Sequence, residues 1–171
     1  MSPLYQMAEK LLYKHGVDVE AAHLMAVLDL LPEQKLNTGH RLCTERDPSA
    51  DMWILTAGSV SVIKRDYAGL EQEMARIQAP ALLGHMALVT GNPRSATCNV
   101  VMPARLRVVT PERFVALLED LSPQGDAFRR LLISSMSGQL DAGNRAIQNA
   151  ISEPSAKNMT LAESSLHGWN E

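Results

Sequence analysis

The apolar residues of this chain change period twice, and that change restricts the fold more than any single motif does. Between Leu4 and Leu31 they recur at helical spacing: Leu4, Met7, Leu11 and Leu12, then, after Gly16, Val19, Ala22, Leu24, Val27, Leu28 and Leu31. This predicts two helices broken at Gly16. From Lys35 to about Thr110 the pattern becomes short alternating stretches of Val, Ile, Leu and Thr, separated by Gly, Pro, Asn and Asp, which read as strands. Beyond Thr110 the helical spacing returns. With 171 residues, 46% of them hydrophobic, the chain suits one domain with a real core. The expected class is α+β, mainly β: a small β-barrel or jelly roll flanked by N-terminal helices and a long C-terminal helix.

The strand signal is clearest in "MWILTAGSVSVIKR", where Trp53 and Leu55, then Val60 and Val62, alternate around Ala57-Gly58. A hairpin or a tight corner is expected there. Further strands are expected at Arg41 to Thr44, Gln72 to Ile77, Ala96 to Val101 and Leu106 to Val109. "TPERFVALLED" carries a helix start, with Thr110 as N-cap, Pro111 at the first helical position and Glu112 in the first turn. Its apolar face is Phe114, Leu117 and Leu118.

A longer helix is predicted from about Gly125 to Ile151, along which Ile133, Met136, Leu140, Gly143, Ile147 and Ala150 repeat at alternating spacings of three and four. Such a stripe serves either a helix lying on its own barrel or a seam between two chains. At 1.5 Å per residue the helix is roughly 40 Å long and outreaches a small barrel. A homodimer or a protein partner is therefore expected, with Ile133, Met136, Leu140 and Ile147 as the dimer helix. The expected organisation is N-terminal helices over 1–34, a barrel over 35–110, C-terminal helices over 111–151 and a flexible tail over 152–171.

The totals exclude several functions. A net charge of −3 and a pI near 5.9 leave no basic footprint for neutralising phosphates, so no direct DNA binding is expected. No apolar run reaches membrane-spanning length and no secretory signal is visible, which predicts a cytoplasmic protein. Cys43 and Cys98 stand far apart without a second ligand at metal spacing; free, buried thiols are expected, with no metal site and no disulfide framework. The five histidines are scattered singly, and no nucleophile, base or metal cluster emerges, so neither an enzyme nor a cofactor is expected.

One stretch does carry chemistry. In "GHMALVTGNPRSAT", residues 84–97, Gly84 opens a helical turn through Met86, Ala87 and Leu88, closed by Gly91 and Asn92 in left-handed conformation. Pro93 fixes its own backbone and delivers Arg94, whose guanidinium suits an anion through two parallel hydrogen bonds. The amides of Ser95 and Ala96 complete an anion cradle.

This stretch resembles the phosphate-binding cassette of the cyclic nucleotide-binding domain family, Gly-Glu-Leu-Ala-Leu, a spacer, then Pro-Arg-Ala-Ala-Thr. Gly84, Ala87, Leu88, Pro93, Arg94, Ala96 and Thr97 fall on that pattern. Residues 38–64 resemble the family's first strands through Gly39, Glu45, Asp47, Pro48, Trp53, Ile54, Leu55, Gly58, Val60 and Val62. "TPERFVALLEDLSP" resembles the helix after the barrel, and the long helix corresponds to the dimer helix of bacterial regulators that share this module. The resemblance implies a regulatory domain binding cyclic AMP or cyclic GMP. Arg94 would hold the phosphate with Ser95 and Ala96, Gly84, His85, Met86 and Ala87 would face the ribose, and the base would lie against Val60 or Val62 and the long helix.

The departures are equally specific. His85 stands where the family's glutamate accepts a hydrogen bond from the ribose 2′-hydroxyl; a neutral imidazole is able to accept that bond, and a protonated one to attract phosphate. Arg46 and Pro80 replace two turn glycines. Too few residues follow Ile151 for a DNA-reading module. The alternative function is a ligand-free domain of the same fold serving as a dimerisation or docking scaffold.

Overall fold

A computed structural model describes residues 2–48 and 51–152, with the expected tail from residue 153 onward lying outside the described residues. The chain divides into Met1–Met136 and Ser137–Glu171. Two helices come first: α1 (Pro3–Lys14), whose N-cap Ser2 accepts from the Tyr5 amide, and α2 (Ala21–Leu30). Gly16, in left-handed conformation, lies between them as the sequence predicts.

The strands are β1 (Glu33–Leu36), β2 (Arg41–Cys43), β3 (Met52–Arg65), β4 (Glu71–Gln78), β5 (Ala81–Leu83) and β6 (Thr97–Val109), with the short helix α3 (His85–Thr90) before β6. They form one antiparallel sheet in the order β1-β6-β3-β4; β2 also pairs with β6, and β5 with β3. The sheet starts at Glu33, slightly ahead of the expected Lys35. Helix α4 (Pro111–Glu119) begins as predicted, the Thr110 hydroxyl accepting from the Arg113 amide. Helix α5 (Pro123–Ser152) covers the long predicted segment.

Of the two alternatives expected at Ala57-Gly58 the corner is the one that forms, and one expectation about the strands needs correction. Ala57-Gly58 closes no hairpin, because β3 runs through it as one strand whose pairing with β6 shifts register between Leu55 and Val60. The stretches 96–101 and 106–109 are likewise one strand, β6, which continues through Pro103. The corner therefore bends two paired strands together. Before the bend β3 is flanked by β5 and β6, and after it by β4 and β6.

Period-two alternation along β3 sorts side chains into two cores. Met52 and Ile54 pack with Leu82 and Val109 against Leu24, Leu28, Phe114, Phe128 and Leu131 of the helices. Trp53, Leu55 and Val60 face the barrel interior with Leu83, Val100 and Leu106. Both faces of the strand are thus dry, and each fully buried aliphatic side chain contributes about 2 kcal/mol. The rings of Phe114 and Phe128 meet edge to face at 6.1 Å, joining α4 to α5. Leu118, expected on the buried face of α4, is exposed.

On α5 the buried face is Ala127, Phe128, Leu131, Leu132 and Ser135, offset from the predicted seam. Of the seam, Met136 is partly buried against the helical core, whereas Ile133, Leu140 and Ile147 are 66%, 66% and 61% exposed. Within the first unit the helix packs on its own domain through a face that leaves Ile133 exposed.

Gly58 is the residue the corner cannot replace. Its φ is +86°, and a Cβ there would lie 2.3 Å from the Pro103 carbonyl oxygen and 2.8 Å from Ala104 Cα, both main-chain atoms of the paired strand. We expect Gly58→Ala to lower unfolding free energy by about 3 kcal/mol or more, measured by urea denaturation followed by circular dichroism.

Candidate functional site: the segment between β5 and β6

The segment leaves β5 at Leu83 and turns at Gly84, whose φ is +75°. A Cβ at Gly84 would come within 2.5 Å of Arg94 Nη1 and 3.1 Å of the Trp53 ring, so the glycine admits two side chains at close quarters. Helix α3 ends at Gly91, left-handed at +68°, whose amide donates to the Ala87 carbonyl. Asn92 was expected to share that conformation and does not; Gly91 alone makes the reversal.

Arg94 is fixed through its backbone by the turn after β2. Its amide donates to the Asp47 carbonyl at 2.9 Å, and the Arg46 amide donates to its carbonyl at 2.8 Å. Making this clamp places Arg46 at φ 71°, the only non-glycine residue with positive φ among the described residues. A side chain there costs on the order of 1 kcal/mol, consistent with a position better suited to glycine.

The Arg94 side chain is 5% exposed. Nη1 donates to the Gly84 carbonyl at 3.1 Å, Nη2 to the Asp51 carbonyl, and Cζ stands 4.8 Å over the Trp53 ring. Among the described residues no carboxylate forms an ion pair with it. A permanently charged group is thus buried against dipoles and a π face with no counter-charge among the described residues, an expensive arrangement.

His85 goes elsewhere. It is 1% exposed, with Nε2 3.4 Å from the hydroxyl of the buried Ser135 on α5 and Nδ1 without a hydrogen-bond partner. Burial pushes its pKa down to about 4, and the nearby His15 at the end of α1 adds to the shift. His15 is itself lowered, first by burial and then by Lys14. The imidazole is a neutral member of the helical core.

The other predicted residues divide in the same way. Gly84 and Arg94 are joined directly; Ser95 is exposed and Ala96 half-buried beside them. Val60 is fully buried in the barrel core, in the same cluster as Trp53, and Val62 lies half-buried opposite Cys98. Met86 is exposed and Ala87 buried. A cleft of about 530 Å³ borders α3 and the 46–48 turn, lined by Arg46, Pro48, Ala87, Leu88 and Pro93 among others, and Arg94 does not line it. Sequence reasoning missed Trp53 as the platform for Arg94, although its alternation with Ile54 already placed it inward. It also missed Ser135, for which no local signal exists.

A left-handed glycine, one short helix and an arginine clamped at the mouth of a jelly roll form a recognisable arrangement, and a family model described as the cyclic nucleotide-binding domain matches residues 33–120. The chain belongs to the cyclic nucleotide-binding domain family. Solved structures share the fold. A cyclic nucleotide-binding domain from Methylobacillus flagellatus KT superposes with a TM-score of 0.72 at 21% identity, covering 85% of each chain. The catabolite activator protein of Thermus thermophilus gives 0.64 at 17% identity, over 88% of this chain and 62% of that one. The regulator CLP of Xanthomonas campestris, described as responsive to c-di-GMP, gives 0.68 at 17%, over 86% and 72%. Among the described residues no helix is long and apolar enough to cross a membrane.

The burial of His85 has a consequence for pH. Its pKa is 6.5 unfolded and about 4 folded, so the unfolded chain binds the extra proton first as pH falls. Above pH 6.5 the effect vanishes; between 6.5 and about 4 the domain loses stability, by about 3 kcal/mol at the lower end. In urea melts across this range, His85→Gln should show a shallower fall than the wild-type domain; equal slopes would contradict the burial.

Proposed function

We propose that this domain is a regulatory sensor that takes a cyclic nucleotide, cyclic AMP or cyclic GMP, chiefly by its phosphate. The observation that carries this reading is the Arg94 guanidinium, buried with carbonyl oxygens and Trp53 as its partners among the described residues. Exchanging a neutral carbonyl acceptor for a phosphate oxygen makes the hydrogen bond ionic on both sides and roughly doubles its strength. The exchange also supplies the missing counter-charge, so an anion gains more from Arg94 than the carbonyls lose. The amides of Ser95 and Ala96, next in the chain, are the further donors for such an anion.

The ribose half follows a different rule. In the family a glutamate accepts the 2′-hydroxyl bond, and here His85 is committed to Ser135 and the helical core. A bond to a charged acceptor is worth roughly 1.5–3 kcal/mol, so its loss weakens binding on the order of tenfold to a hundredfold and removes discrimination at the 2′ position. By calorimetric titration we expect cyclic AMP or cyclic GMP to bind with an affinity that falls at least about tenfold in Arg94→Ala. The 2′-deoxy analogue should bind within about threefold of the parent nucleotide. No heat at millimolar ligand would overturn this reading.

A second reading rests on α5. Ile133, Leu140, Ile147 and Ile151 are all exposed and recur along one stripe of the helix, as a surface for pairing two chains would. On this reading the fold is a dimeric or docking scaffold. Light scattering after size exclusion should give a dimer that Leu140→Asp or Ile147→Asp converts to monomer; a monomeric wild-type chain would remove it.

A further inference from the structure

Cys43 and Cys98 are distant in sequence, and the fold makes them cross-strand partners, directly opposite each other where β2 pairs with β6. Directly opposed residues in an antiparallel pair have Cα atoms about 4.5–5.5 Å apart, inside the range that a disulfide spans. Strand β2 is only three residues long and its register with β6 slips between Arg41 and Cys43, so the remaining approach of the sulfurs falls on a short, irregular strand. Both thiols are free and half-buried, and the Cys43 thiol donates to the Ala96 carbonyl at 3.7 Å.

We propose that Cys43 and Cys98 are an oxidation site, closed to an intramolecular disulfide by hydroperoxides and reopened by thiol reductants. Cys43 is the attacking sulfur. The neighbouring Cys98 side chain and the nearby charge of Arg94 together lower the Cys43 thiol to about 7, against burial that acts the other way. Cys98 keeps its proton, raised by the same pairing and by burial.

The reaction balances in two steps. The Cys43 thiolate attacks the terminal peroxide oxygen, the O–O bond breaks, and the alcohol or water leaves with a proton, giving a sulfenic acid. Cys98 sulfur then attacks Cys43 Sγ, its proton and the hydroxyl depart as water, and the S–S bond forms. The two thiols lose two electrons in all and one hydroperoxide gains them. The bridge joins β2 to β6 one residue beyond Thr97, whose hydroxyl already accepts from the Glu45 amide. It therefore lies beside the turn that clamps Arg94.

The test treats the full chain with a few equivalents of hydrogen peroxide. Both thiols should vanish from a denaturing thiol assay, the mass should fall by about 2 Da, and the protein should show no disulfide-linked dimer on a non-reducing gel. The thermal midpoint should rise by roughly 5–15 °C, and dithiothreitol should reverse every change. In Cys98→Ser, Cys43 should instead be trapped as a sulfenic acid that reacts with dimedone. Two surviving thiols, oxygen addition without bridge formation, or exclusively intermolecular bridges in the wild-type chain would each overturn the proposal.

Discussion

The pairing of β3 with β6 is the constraint on which the rest of the domain depends. It extends from Met52 opposite Val109 to Ile63 opposite Thr97, bends once where Gly58 meets Pro103, and has apolar side chains on both faces. One end of the ladder closes the barrel around Val60 and Val100, and the other presents Met52, Ile54 and Val109 to the helices. The same ladder positions the candidate site. Trp53 of β3 lies under Arg94, and β6 starts three residues after that arginine.

Within the site the two titratable groups singled out by sequence meet opposite fates. Arg94 cannot shed its charge, so its burial leaves an electrostatic demand that two carbonyls and an indole meet incompletely. His85 can, and burial simply keeps it neutral. A histidine is thus compatible with the helical core where a glutamate would have to be paired. The arginine keeps its charge, and the histidine has become part of the packing between α3 and α5.

Much of the architecture was legible beforehand. Gly16 marks the break between two helices, Thr110-Pro111 the start of α4, and the spacing of Gly84 and Gly91 the short helix and its left-handed end. These are local signals in which a residue's own backbone preference decides the outcome. The reading stayed open, or failed, where a local signal had two global solutions. Ala57-Gly58 reads equally as a hairpin or as a bend in a continuous strand, and only the close approach of Pro103 selects the bend. Leu106 and Val100 read as separate strands because nothing local shows that β3 accompanies them throughout.

By itself the sequence determined the class of fold, the family and the local turn and short helix that lead to Arg94, because periodicity, caps and glycine spacing are properties of neighbouring residues. The tertiary structure alone decided three matters of contact between distant residues. Arg94 is folded onto Trp53 and the Gly84 and Asp51 carbonyls, His85 is withdrawn to Ser135, and Cys43 is placed opposite Cys98. In each case the partner comes from another element, and strand register or helix packing, which depend on the whole assembled core, selects it.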